Sequence, residues 1–174
     1  MTLAHIPTLQ TERLTMRAPS ADDFPALVEF YHEDRSKFVG GPMRPDQTWR
    51  ALAAEIGHWT LRGYGRWSVD ETSSGRFCGM VGAWNPEGWP EPELGWDLMA
   101  GFEGKGYATE AAKAALDYVY HTLGWKTAIS LVADGNDGSA AVAKRLGAKW
   151  ESHFIHEMHG PMNVYRHKCP EALS

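Results

Sequence analysis

Hydrophobic positions along the chain alternate in some stretches and recur every three to four residues in others, and the switches between these periods mark the elements. "TERLTMRAP" alternates Leu14 and Met16 with Arg13, Thr15 and Arg17, which predicts a strand with one buried face, stopped by Pro19. In "SADDFPALVEFYHED", Ser20 is a candidate N-cap, acids fill the first turn, and Phe24, Leu27, Val28 and Tyr31 fall at helical spacing. "RPDQTWRALAAEIGHWTLRG" places Trp49, Leu52, Ile56 and Trp59 on one face of a second helix.

The texture then changes. "YGRWSVDETSSGRFCGMVGAW" reads as a hairpin: Trp67 and Val69 alternate with polar neighbours, "ETSSG" is turn chemistry, and the return strand is apolar with small residues. After the loop "NPEGWPEP", Leu94, Trp96 and Leu98 alternate as a further strand. A glycine turn leads into a helix from about Tyr107, with Ala108, Ala112, Ala115, Val119 and Leu123 on one face. "KTAISLVAD" is a β-branched strand, "NDGSAAVAKRLGAKW" a short helix with Gly147 after its last turn, and the tail two strands around "HGP". The order β-α-α-β-β-β-α-β-α-β-β, without repeat or linker, predicts one α/β domain over 8–168, a mixed sheet with helices on its faces, between short termini at 1–7 and 169–174.

Composition narrows the class. At 174 residues and 43% hydrophobic, the chain has material for one core. With 17 basic against 22 acidic residues and no basic block, a nucleic-acid footprint is not expected. No signal layout or long apolar run is present, and Cys78 and Cys169 lack metal or redox spacing, so a cytoplasmic protein with free thiols, away from membranes, is expected. His153 and His156 stand three apart in an extended segment and face opposite sides, which argues against a shared metal.

The chemistry concentrates in "GFEGKGYATEAAKAALDYV". A strand end, a turn with Gly104 and Gly106, and a helix start bring unpaired N–H groups and the positive end of the helix dipole to one point, beside Lys105. A Walker loop fails because Gly106 holds the hydroxyl position, and the dinucleotide fingerprint fails at Thr109. A glycine turn that only joins strand to helix stays open on these residues alone.

"PELGWDLM", "GKGYATEAAKAAL" and "NDGSAAVAKRLGA", in this order and spacing, resemble the GNAT superfamily of acetyl-CoA-dependent N-acetyltransferases. Within it the chain is similar to the branch of the ribosomal-protein N-terminal acetyltransferases, whose members also open on a "TERLTMR"-like strand. The resemblance spans about Thr11 to Arg166 and implies a GNAT-type, mostly antiparallel sheet splayed at its centre. It implies that backbone amides of Gly104, Lys105, Gly106, Tyr107 and Ala108 hold the pyrophosphate of acetyl-CoA, the cosubstrate, with no metal. Leu98 and Met99 would pair with the pantetheine arm, and Asn136 would hydrogen-bond it. The family has Gln or Arg three residues before the first glycine, where this chain has Gly101.

An amine must lose a proton to attack a thioester, since alkyl amines have pKa values near ~10. Glu93 is the candidate base by resemblance, and its plain alternative is a solvated strand-end acid. Many members place a tyrosine acid seven residues after the asparagine, where this chain has Ala143. Ser139 is then the candidate acid for the leaving sulfur, and equally a helix-start serine, with Tyr107 a weaker alternative. A strand amide near Leu98 is expected to face the developing oxyanion. Trp84 and Trp89 flank a loop suited to wall an acceptor site, and Glu87, Glu91 and Glu93 fit a cationic acceptor. The resemblance implies a primary amine as acceptor, on a small molecule or a protein N-terminus. A catalytically weak acyl-CoA-binding sensor or interaction module is the alternative, and a homodimer through the terminal strands stays open.

Overall fold

The computed structural model describes residues 5–172. Its elements in chain order are β1 (Leu9–Gln10), β2 (Leu14–Arg17), α1 (Phe24–His32), α2 (Pro45–Arg62), β3 (Arg66–Glu71), β4 (Arg76–Trp84), β5 (Glu93–Leu98), α3 (Tyr107–His121), β6 (Ile129–Ala133), α4 (Asp137–Arg145), β7 (Lys149–His156) and β8 (Gly160–Arg166). The predicted order of strands and α-helices is recovered with one added strand, the two-residue β1, which is too short to carry an alternation signal, and short 3-10 turns at Ala21–Asp23, Asp34–Val39 and Pro170–Ala172 lie between and after them.

The strands form one eight-stranded sheet in the order β1-β2-β3-β4-β5-β6-β8-β7. Every neighbouring pair is antiparallel except β5 and β6, which are parallel and meet at a single register pair, Glu93 with Ile129. Beyond that pair the two strands part, and the sheet is open at its centre. The main core lies among α1, α2, β2 to β5 and α3, and a smaller cluster of Val132, Ala143, Ala148 and Tyr165 lies beyond the gap. Trp96 of β5 packs against both.

The buried stripe of α2 is rotated from the expected one. Trp49 is 61% and Ile56 37% exposed, while Thr48, Leu52, Glu55, His58 and Trp59 are buried. A carboxylate on the inward stripe is tolerated because Arg66 of β3 donates to Glu55 from Nε at 3.0 Å and also from Nη2. The histidines divide as expected: His153 is bonded to Asp134 at 3.1 Å, whereas His156 is buried beside Trp89.

Asp23, at the entry to α1, ties three elements together. It accepts from Arg17 Nη2 of β2 at 2.7 Å, from Ser68 Oγ of β3 at 2.6 Å and from the Ser20 N–H at 2.9 Å, and is 1% exposed. Removing it strands the buried Ser68 hydroxyl and takes one of two carboxylate partners from the half-buried Arg17, so Asp23→Ala is expected to cost about 2–4 kcal/mol of unfolding free energy, measured by urea denaturation. A loss below about 0.5 kcal/mol would show that the network contributes little.

Candidate active site

The gap between β5 and β6 has a backbone origin. In an antiparallel ladder alternate residues direct their N–H and C=O groups to opposite neighbours. The Met99 N–H donates to the Cys78 carbonyl of β4 at 2.9 Å, so Leu98 and Trp96, one and three residues back, direct their backbone groups toward the gap. The Leu98 carbonyl shows this directly, accepting from Arg35 Nη2 at 2.7 Å.

Two side chains close the ladder where the strands separate. Glu93 Oε2 accepts from the Leu131 N–H at 2.8 Å, and Ser130 Oγ donates to the Leu94 carbonyl at 2.6 Å. Glu93 Oε1 accepts from Trp89 Nε1 at 2.9 Å. Glu93 is buried, not a solvated strand-end acid, and burial pushes its carboxyl up to about 7, against the restraining bonds from Leu131 and Trp89.

Two cavities open on either side of this gap. The first, of about 840 Å³, runs from Leu98 past Gly104, Gly106, Tyr107 and Ala108 to Asn136 and Ser139. Gly104 and Gly106 have φ of +74° and +81°, the left-handed region that glycine enters without strain, and the α3 N-terminus follows at once. Lys113 and Arg145 add cations to the wall. The Thr109 hydroxyl, also in the wall, is buried without a partner. Unpaired amides, cations and an unpartnered hydroxyl are the donor set that a pyrophosphate requires, so these residues fit coenzyme A.

Met99 and Lys105 lie outside this cavity. Met99 is held by its bond to β4, and the Lys105 ammonium turns to Glu71 at 4.0 Å and to the Phe102 and Tyr107 rings. The Tyr107 hydroxyl donates to Glu71, so it is engaged away from the gap. At the position of the missing Gln or Arg, the Gly101 N–H is bonded by Glu103 at 2.9 Å, and Glu103 pairs in turn with Arg35.

Asn136 caps α4 through Oδ1, which accepts from the Ser139 N–H at 3.3 Å. The Ser139 hydroxyl does not bond backbone as a helix-start serine would; it accepts from Trp96 Nε1 at 3.0 Å, which leaves its own proton to donate. Ala143 is fully buried in the smaller core cluster.

The second cavity, of about 340 Å³, shares Phe38, Val39, Trp96, Asp97, Asn136 and Ser139 with the first. Trp84, Trp89 and Glu93 line it, together with Glu55, Arg66 and His159. Burial and neighbouring His156 hold His159 below the usual histidine range. The other loop acids lie elsewhere: Glu91 pairs with Arg166 at 2.8 Å, and Glu87 is exposed near Arg62. Sequence reasoning missed Glu55, Arg66 and Asp97, where Arg66 Nη1 donates to Asp97 at 2.6 Å, because no local pattern marks an inward acid whose partner comes from another element.

Among the described residues no group of three or more His, Cys, Asp and Glu is placed to hold a metal, and no helix is long and apolar enough to cross a membrane. The model of the acetyltransferase (GNAT) domain family matches residues 13–149. An acetyltransferase from Agrobacterium tumefaciens str. C58 has a similar structure, with a TM-score of 0.87, 39% identity, and 94% of this chain and 95% of that one covered. The uncharacterized protein YkkB of Bacillus subtilis (strain 168) is 29% identical over 169 residues, covering 92% of this chain and 95% of its own. The ribosomal L7/L12 α-N-protein acetyltransferase RimL, in complex with coenzyme A, shares the fold at a TM-score of 0.73 and 17% identity, with 92% and 97% covered. A gap at β5, a glycine cradle at α3 and a match over 13–149 lead to one conclusion: the chain belongs to the GNAT acetyltransferase family.

Proposed function

We propose that the protein moves the acetyl group of acetyl-CoA to a primary amine by direct attack within a ternary complex. The observation that carries this reading is the meeting of the two cavities along Trp96, Asn136 and Ser139, at the place where β5 leaves β6. One cavity has a donor set for an anion, and the other holds a buried carboxylate whose pKa is about 7.

Acetyl-CoA supplies the acetyl group as a thioester; the remaining work falls to side chains and amides of this chain. The amides of Gly104, Gly106 and Ala108 hold the pyrophosphate at the α3 N-terminus, and Lys113 and Arg145 add charge. Asn136 Nδ2 donates to the pantetheine arm, since Oδ1 is committed to the cap. Glu93 takes the ammonium proton, directly or through one water. The Leu98 N–H faces the carbonyl oxygen on which negative charge develops, and the Ser139 hydroxyl donates to the departing sulfur.

The test is thiol release from acetyl-CoA across a panel of primary amines. Coenzyme binding without turnover of any amine would instead indicate a binding module, and no coenzyme binding would overturn both. Because Glu93 acts in its ionised form, kcat/KM is expected to rise with pH through about 7 and level off before amine titration near ~10. Glu93→Gln should abolish that limb and lower kcat by about 10²–10⁴-fold. A limb that persists in the variant would exclude Glu93 as the base. Ser139→Ala should lower kcat by about 10-fold, less than a full general acid contributes, because a thiol of pKa near ~8.5 already leaves readily.

Gly106→Val places a β-branched side chain at φ +81° and is expected to weaken coenzyme binding by at least about 10-fold in a calorimetric titration, with circular dichroism confirming the fold. Unchanged affinity would move the cradle elsewhere.

A further inference from the structure

Buried polar atoms are almost always hydrogen-bonded, so exceptions point to something they wait for. Among the described residues four buried side-chain atoms have no partner: Glu55 Oε2, Thr109 Oγ1, His156 Nε2 and His167 Nδ1. Thr109 belongs to the coenzyme cavity, and the two histidines line neither cavity. Glu55, 5% exposed, lines the acceptor cavity.

The Glu55 oxygen is unpartnered although a guanidinium is adjacent. Arg66 directs Nε and Nη2 to Glu55 Oε1 and Nη1 to Asp97, which leaves Oε2 buried without a donor in a residue of the cavity wall. Three carboxylates, Glu55, Glu93 and Asp97, line this cavity against one guanidinium. Burial pushes the Glu55 carboxyl up against the pull of Arg66. Asn136, Ser139 and His159 are the other polar residues of the wall, and the remainder is apolar and aromatic, with Tyr31, Trp84, Trp89 and Trp96 prominent. A volume of about 340 Å³ lies at the small-molecule end of binding sites, roughly 300–1,000 Å³.

We propose that the acceptor is a small primary amine whose apolar or aromatic body carries a second N–H or O–H donor, and that Glu55 Oε2 receives this second donor. The inference rests on reading the second cavity as the acceptor site. One end of such a molecule lies at Glu93 and the gap, where acetyl transfer occurs, and the flat body lies among the tryptophans. The far donor satisfies Glu55, so an amine without it leaves a buried carboxylate oxygen unpaired and is rejected.

Matched amines test this by calorimetric titration into protein saturated with coenzyme A: phenethylamine against tyramine, and hexylamine against hexamethylenediamine. The donor-bearing member of at least one pair is expected to bind about 10-fold or more tightly. In Glu55→Gln that preference should shrink to under about 3-fold. Should Glu55→Gln fail to fold, Glu55→Asp keeps the charge for Arg66 but withdraws it from the cavity, and the same loss of preference is expected. Equal affinity within both wild-type pairs, a preference that survives in a folded variant, or no binding by any amine would overturn the assignment. Binding does not require turnover, so a preference without thiol release would retain the Glu55 site and remove the acetyltransferase reading, and turnover without a preference would do the reverse.

Discussion

The parting of β5 from β6 is the constraint on which the other features depend. A parallel ladder that stops at one register pair leaves backbone donors and acceptors facing a gap, and buried groups of this kind are costly unless something satisfies them. At the base of the gap the chain supplies two side-chain bonds, from the Leu131 N–H to Glu93 and from Ser130 to the Leu94 carbonyl. Further along, Trp96 spans the opening, packing on both core clusters and donating its indole N–H to Ser139 of α4. Both cavities exist because the strands do not close. The carboxylate that ends the ladder is also the one that burial lifts to about 7, so its place in the ladder and its raised pKa share a cause.

Both cavities carry mixed charge: the larger has Arg35, Lys113 and Arg145 together with Glu12, Glu103 and Glu110 beside the α3 N-terminus, the smaller has Glu55 and Glu93 around Arg66, and Asp97 lines both. Burying an ion pair costs several kcal/mol per ion before attraction repays it, so the Glu55–Arg66–Asp97 group is a poor means of stabilising the fold. Its position in a cavity wall, with one carboxylate oxygen unpaired, is better explained by recognition. On the opposite side Arg35 bonds the Leu98 carbonyl and pairs with Glu103, which covers the Gly101 N–H. These bonds satisfy groups near the coenzyme path with donors and acceptors of the chain itself.

Much of this was legible in the sequence where the cause is local. Alternation at Leu94, Trp96 and Leu98 placed β5, and the spacing of Gly104 and Gly106 marked a turn that the left-handed φ of both residues requires. The resemblance added Asn136 and Ser139, which the structure brings to the wall shared by both cavities. What escaped depends on partners distant along the chain. Nothing in the local sequence marks Glu55, because Arg66, which makes its burial tolerable, lies on another element, and the outward Trp49 and Ile56 made the wrong face of α2 appear apolar. Glu91 looked available to a cationic acceptor until Arg166 of β8 claimed it. The helix-start alternative for Ser139 turned on an indole from β5, again a tertiary partner.

The most direct test of the gap as the coenzyme seat is a crystal structure of the protein with bound acetyl-CoA. The expected result is a pantetheine arm paired with the backbone of Trp96 and Leu98 in place of Arg35, the thioester beside Ser139, and the pyrophosphate on the amides from Gly104 to Ala108. Coenzyme bound elsewhere, with Arg35 still on the Leu98 carbonyl and the gap between β5 and β6 unaltered, would contradict it.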